Sequence, residues 1–173
     1  PASLSEAARS LTEPLALTTT YQATASDNVS VHTVQAAEVR VDPLTGEVHP
    51  TRIVSVHEAG RIINRQAFEG QVDGAVAQGL GYALMEGLLI EEGRVTNVNL
   101  HDYKVPTIAD MPPLEVVILP TDERLGITPI GEGAVGTAPA IANAVADALG
   151  TPAAFDLPIT AEAVIGQAKQ RRS

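Results

Sequence analysis

Gly70-Gln71-Val72-Asp73-Gly74-Ala75-Val76-Ala77-Gln78-Gly79-Leu80-Gly81 is the stretch on which the reading of this chain turns. It lies within residues 66–89, a run without proline in which Phe68, Val72, Val76 and Leu80 recur at helical spacing. The spacing predicts one long helix. Gly70, Gly74, Gly79, Gly81 and Gly87 punctuate it. Each interior glycine costs a helix about 0.5–1 kcal/mol relative to alanine. Five of them call for close packing against another backbone or a ligand. Gln71 and Gln78 share one helical face, with Gly74 between them. Amides flanked by glycines can hydrogen-bond a polar ligand lying close to the helix; a helix–helix packing face with satisfied amides is the alternative. Asp73 reads as a structural or surface carboxylate.

Working back from this helix, residues 33–41 alternate, with Ala37, Val39 and Val41 on one side and Glu38 and Arg40 on the other. Asp42-Pro43-Leu44-Thr45-Gly46 has the composition of a turn, and residues 51–57 form the return strand of a hairpin. Residues 13–30 are rich in Thr, Ser and Pro and read as an extended lead-in. Before them, residues 3–11 read as a short helix that Ser3 and Glu6 open at capping-box spacing. Working forward, strands are expected near 94–100 and 114–119. A loop containing Gly126, Gly131, Gly133 and Gly136 leads to a second helix. Thr137 is placed to cap it, Ile141, Val145 and Leu149 form its apolar face, and Gly150 ends it. A last short helix follows Thr160. The expected fold class is α+β, a mainly antiparallel sheet with a long Gly-rich helix and a second helix after the glycine loop. No internal repeat or linker divides residues 1–173, which are treated as a single unit.

Composition narrows the function. Hydrophobic residues make up 45% of the 173-residue chain but aromatics only 3%, so the core is built from Ala, Val, Ile and Leu. The formal net charge of −10 opposes binding to nucleic acid. There is no cysteine, hence no disulfide, no thiolate zinc site and no cysteine-ligated iron–sulfur cluster in this chain. Disulfide-free chains occur on both sides of a bacterial membrane, so composition does not fix the compartment; the cytoplasm is the expectation. The apolar stretches are too short and too Gly-rich for a membrane span. The opening Pro1-Ala2-Ser3 is neither an initiator methionine nor a signal peptide. His32, His49, His57 and His101 show no metal-ligand spacing, and His57 reads as a strand-end residue without a catalytic role. No G-x-S-x-G elbow occurs.

Gly131-Glu132-Gly133-Ala134-Val135-Gly136 spells the G-x-G-x-x-G dinucleotide fingerprint. That motif needs a strand running straight into the first glycine, and Gly126-Ile127-Thr128-Pro129 stands there instead. A solvated glutamate in a flexible loop is one reading of Glu132. Its place between two glycines, just before a helix, also leaves a carboxylate open to substrate, as a general base requires.

Taken together, these segments resemble the molybdenum hydroxylases, the family of xanthine dehydrogenase, aldehyde oxidase and carbon monoxide dehydrogenase large subunits. Residues 70–81 resemble the family's glutamine helix, and Asp102-Tyr103-Lys104-Val105-Pro106 its D/T-Y-x-x-P segment. Ile130-Gly131-Glu132, running on to 137–145, resembles its active-site glutamate loop and the following helix, and Leu157-Pro158-Ile159-Thr160-Ala161-Glu162 its C-terminal ending. The resemblance implies the C-terminal portion of a molybdopterin-binding domain. It places Glu132 on the general base, Gln71 on the glutamine that hydrogen-bonds the pterin, and Gly131 where the loop approaches the metal. It implies hydroxylation of an aldehyde or N-heteroaromatic small molecule with water. No protein metal ligand is expected here, because the cofactor's dithiolene holds the molybdenum. The remainder of the molybdopterin-binding subunit, the 2Fe-2S clusters and FAD are expected elsewhere, in other subunits or domains. Gly133-Ala134 departs from the family's frequent Pro-Pro, which weakens a specific assignment of xanthine as substrate. The alternative class is a non-catalytic assembly module that packs against a partner subunit.

Overall fold

The computed structural model describes residues 3–9, 16, 18–20, 22, 31–120, 136–152 and 155–170. The extended lead-in falls mostly outside these residues, and so does the glycine loop except Gly136, with Gly131 and Glu132 outside them. Helix α1 spans Leu4–Arg9. Its capping box closes as the spacing predicts: the Ser3 backbone N–H donates to Glu6 Oε2 (2.8 Å), and the Glu6 N–H to Ser3 Oγ (3.3 Å).

The hairpin forms as expected. Strands β1 (His32–Val41) and β2 (Val48–Glu58) pair antiparallel, with a bulge at Glu38/Val39. Asp42 Oδ1 accepts from the Leu44 and Thr45 N–H groups across the turn, which holds its carboxyl below the usual carboxylate range. Gly46 takes φ +77°, and its α-carbon packs against the backbone of Ala161. The third strand, β5 (Leu114–Ile118), joins the other edge of β2 in parallel. Antiparallel pairing still dominates this α+β sheet. The parallel addition follows from the connection, since α2 (Arg65–Leu84) returns the chain to the end of the sheet where β2 began.

Asn64 caps α2, its Oδ1 accepting from the Ala67 N–H at 3.0 Å. The helix stops at Leu84, short of the expected end at 89. Buried Asn97 is the reason. Its Nδ2 donates to the Gly87 carbonyl (2.7 Å) and its Oδ1 accepts from the Leu89 N–H (3.0 Å), so these backbone groups need no further helical turn. The strand expected over 94–100 shrinks for the same reason: only a two-residue ladder forms between β3 (Ile90–Glu91) and β4 (Arg94–Val95). Asn99 then turns the chain, its side chain accepting from the His101 and Asp102 N–H groups.

Helix α3 (Thr137–Leu149) lies across β1 and packs on α2. Ile141, Val145 and Leu149 face the core, and Gly150 closes the helix in the left-handed region. Thr137 does not cap it. Gly136 holds the cap position and has no side chain to bond the first turn, while the Thr137 hydroxyl donates to Gln35. Helix α4 (Ala161–Gln170) buries Val164 and Ala168. The core lies between the inner sheet face (Ile53) and Val72, Val76 and Leu80 of α2, with Ile141 and Val145 of α3 beside them. Among the described residues, no helix is long and apolar enough to cross a membrane.

Candidate functional site

Three features bear on a cofactor site. The first is the outward face of α2. Val72, Val76, Leu80 and Ala83 point into the core, which turns Gln71, Gly74 and Gln78 to the exposed side. A β-carbon at Gly70 or Gly74 would meet nothing within 4 Å, so the backbone beside Gln71 is open to a close neighbour. The expectation that all five glycines serve close packing is therefore divided. Gly81 does pack tightly, against the Pro106 ring and the Glu86 carboxylate, and Gly87 lies beside Pro158. Gly70 and Gly74 leave space instead. The 102–106 segment is also explained: Pro106 seats on Gly81, while the Tyr103 hydroxyl donates to Glu86 Oε2 at 2.8 Å. That carboxylate raises the Tyr103 phenol above its usual range.

The second feature is the entry to α3. Gly131 and Glu132 lie outside the described residues, and Thr137 is the first residue of the helix that follows them. Thr137 is fully buried.

The third feature is a polar chain, buried at Ser55, His57 and Thr137, that the sequence did not announce. Thr137 Oγ1 donates to Gln35 Oε1 (2.7 Å), and Gln35 Nε2 donates to Ser55 Oγ (2.9 Å). Ser55 Oγ meets His57 Nε2 at 2.8 Å, and His57 Nδ1 meets Thr33 Oγ1 at 3.1 Å. Gln35–Ser55 and Thr33–His57 are cross-strand partners. Ser55 Oγ accepts from Gln35 and pairs with His57 Nε2, while Thr33 pairs with the other ring nitrogen. His57 is 1% exposed and the Phe68 ring meets it edge-on at 5.4 Å. Burial pushes its pKa down. His57 is thus a strand-end residue, as read from the sequence, but one that ties the hairpin to the first turn of α2. The signal was available: Thr33, Gln35, Ser55 and His57 occupy inward positions of two alternating strands, where polar residues demand partners.

A cavity of about 490 Å³ opens elsewhere, between Val48–Thr51, Leu84, Met85 and residues 109–113. Neither Gln71 nor Thr137 lines it, so it is not the surface that this site would present. Among the described residues, no group of three or more His, Cys, Asp or Glu side chains could hold a metal ion. The donor set is one of amides and open backbone. It fits an organic cofactor that brings its own metal ligands and is held by hydrogen bonds.

Known proteins share the sequence and fold of this chain. Residues 2–112 match the molybdopterin cofactor-binding domain. The chain is 36% identical over 138 residues to the nicotine 6-hydroxylase large subunit of Paenarthrobacter nicotinovorans, covering 76% of this chain and 17% of that protein. It is 39% identical over 135 residues to the aldehyde oxidoreductase molybdenum-binding subunit PaoC of Escherichia coli K12, covering 74% and 18%. Among solved structures, quinoline 2-oxidoreductase from Pseudomonas putida 86 superposes with a TM-score of 0.69 at 32% identity, over 79% of this chain and 18% of that one. The aldehyde oxidoreductase of Desulfovibrio gigas gives 0.70 at 28% identity, over 80% and 15%. The chain thus spans less than a fifth of the length of these relatives. Match and fold together place this chain in the molybdopterin cofactor-binding domain family of the molybdenum hydroxylases.

Proposed function

We propose that this chain forms part of the cofactor site of a molybdenum hydroxylase that oxidises an aldehyde or N-heteroaromatic small molecule with water, Glu132 acting as general base. The observation that carries the reading is the exposed Gln71 on a helix face that Gly70 and Gly74 leave open, within a domain of this family. The substrates named for its relatives, an aldehyde, nicotine and quinoline, support the substrate class.

The cofactor, when bound, supplies an electron-accepting metal centre. Gln71 donates and accepts amide hydrogen bonds at the pterin, and Gly131 lets the loop come close. Glu132 takes a proton from the attacking oxygen; a carboxylate flanked by two glycines in the sequence suits a general base. The overall balance is one C–H and one water going to C–OH, with two protons and two electrons released. The electrons pass to 2Fe-2S and FAD centres that other domains or subunits carry. Leu88, Val98, Leu100 and Ile108 are exposed, Ile108 to 94%, and the remainder of the subunit covers them.

Gln71→Leu tests the cofactor assignment in the whole purified protein. The variant removes the amide at nearly constant size. It is expected to lower molybdenum and pterin content well below one per protein while leaving the fold intact. Full cofactor content in the variant would remove Gln71 from the site. A protein that carried neither molybdenum nor pterin at all would instead be the non-catalytic assembly module.

A further inference from the structure

Strand β5 ends the sheet, and its ladder with β2 fixes which way its backbone groups point. The Ile53 N–H donates to the Pro113 carbonyl at 3.0 Å, and the Leu119 N–H donates to the His57 carbonyl at 2.9 Å. Successive residues of a strand alternate in this direction. Pro113, Glu115, Val117 and Leu119 therefore face β2, and Leu114, Val116 and Ile118 turn their N–H and C=O groups away from it. Among the described residues, no strand pairs with these three. Open edges are ordinarily blunted by proline, lysine or a bulge. Strand β5 has none of these. Pro113 and Pro120 only bracket it, its one charge, Glu115, is held by Arg52, and its ladder with β2 runs without a register shift. Its sequence, Leu-Glu-Val-Val-Ile, is apolar toward both faces, the pattern of a strand with neighbours on both sides. Leu114 and Val116 pack on the core yet stay only half-buried, so the core lacks cover at this edge.

We propose that β5 is a docking edge: an extended segment from the part of the subunit outside this chain pairs with Leu114, Val116 and Ile118 and continues the sheet. The chemistry of the edge selects the occupant. Donors and acceptors that recur at every second residue of a strand are matched by another extended backbone, not by a helix or a small molecule. The source follows from length, since the matched part makes up less than a fifth of the relatives. The incoming segment carries apolar side chains on the side that faces the core, where they complete the cover over Leu114 and Val116. The inference rests on the reading of this chain as part of a larger subunit. It does not depend on the roles of Gln71 and Glu132.

Amide hydrogen exchange in the complete protein, resolved to single residues, tests the proposal. The N–H groups of Leu114, Val116 and Ile118 are expected to exchange roughly a hundredfold or more slowly than unpaired amides, at every protein concentration. Exchange of these three at unpaired rates, with Glu115 and Val117 protected by β2, would overturn the proposal. Protection that grows with protein concentration would overturn it too, since it would mean pairing between two copies. Val116→Pro removes one outward donor and leaves the bonds to β2, whereas Val116→Ala trims the side chain and keeps the donor. The proline variant is expected to lose protection at Leu114 and Ile118, and the alanine variant to keep it. Should the proline variant fail to fold, exchange in the unsubstituted protein decides. A photoreactive benzoylphenylalanine in place of Leu119 then identifies the occupant by mass spectrometry. An adduct with a peptide of the subunit outside residues 1–173 is expected; an adduct confined to residues 1–173, or none, contradicts the inference. Molybdenum and pterin are measured in the same preparation. Protected amides in a protein holding neither would sink the cofactor reading and leave this one standing.

Discussion

His57 shows how one side chain carries a constraint through the domain. It bonds Ser55 through Nε2 and Thr33 through Nδ1 and meets Phe68 edge-on, all while neutral. Burial holds its pKa below the ordinary value near 6.5. As pH falls, the unfolded chain therefore takes up this proton before the folded one does. The stabilisation is complete above about pH 6.5 and is lost as pH drops from there through the folded value. Hydrogen exchange of the hairpin amides, corrected for intrinsic rates, should show protection weakening across that acid window. Protection in His57→Gln should lose part of this dependence; an unchanged pH profile would mean that His57 does not report the folded state. Gly46 is a second point of constraint. An alanine there would need an unfavourable positive φ and would press on the Ala161 backbone. Gly46→Ala should cost at least about 1–2 kcal/mol of stability in denaturant unfolding; a variant as stable as the parent would mean that the turn relaxes freely. Neither constraint could be read from residue type alone. Gly46 was legible as a turn glycine, but its packing on α4 joins positions over a hundred residues apart. His57 lay on an alternating strand, yet its partners became visible only when β1 was laid against β2.

At the scale of elements, the period-two hairpin and the two period-3.6 helices were legible because each buries a continuous apolar face. Element ends were less so. Asn97 ended α2 early and dissolved most of a strand by accepting and donating at once to Gly87 and Leu89, and nothing in a local pattern marks a side chain that will substitute for a helical turn. Asn97→Ala should leave the Gly87 carbonyl and the Leu89 N–H without partners. Each such loss costs roughly 1–3 kcal/mol. Faster exchange at Leu89 and greater proteolysis over 86–100 should follow; unaltered exchange would show that water or a neighbour replaces the asparagine. The parallel pairing of β5 with β2 was also beyond local reading. Partner choice depends on where α2 returns the chain, and strand alternation carries no direction.

The whole molecule reads as one part of a larger site. Exposed apolar side chains between Leu88 and Ile108 and an amide-bearing helix face both lie on its surface, and the matched part makes up less than a fifth of its relatives. Family membership was legible in the order of four short segments; the polar network that joins the hairpin to α3 was not. The central claim is that Glu132 is the base in a site whose cofactor this domain helps to hold. Glu132→Gln keeps the side chain's shape and cannot accept the proton, so kcat per molybdenum in the complete protein tests it most directly. The account predicts full molybdenum and pterin content with near-total loss of turnover. Substantial turnover in that variant, at normal cofactor content, would contradict it.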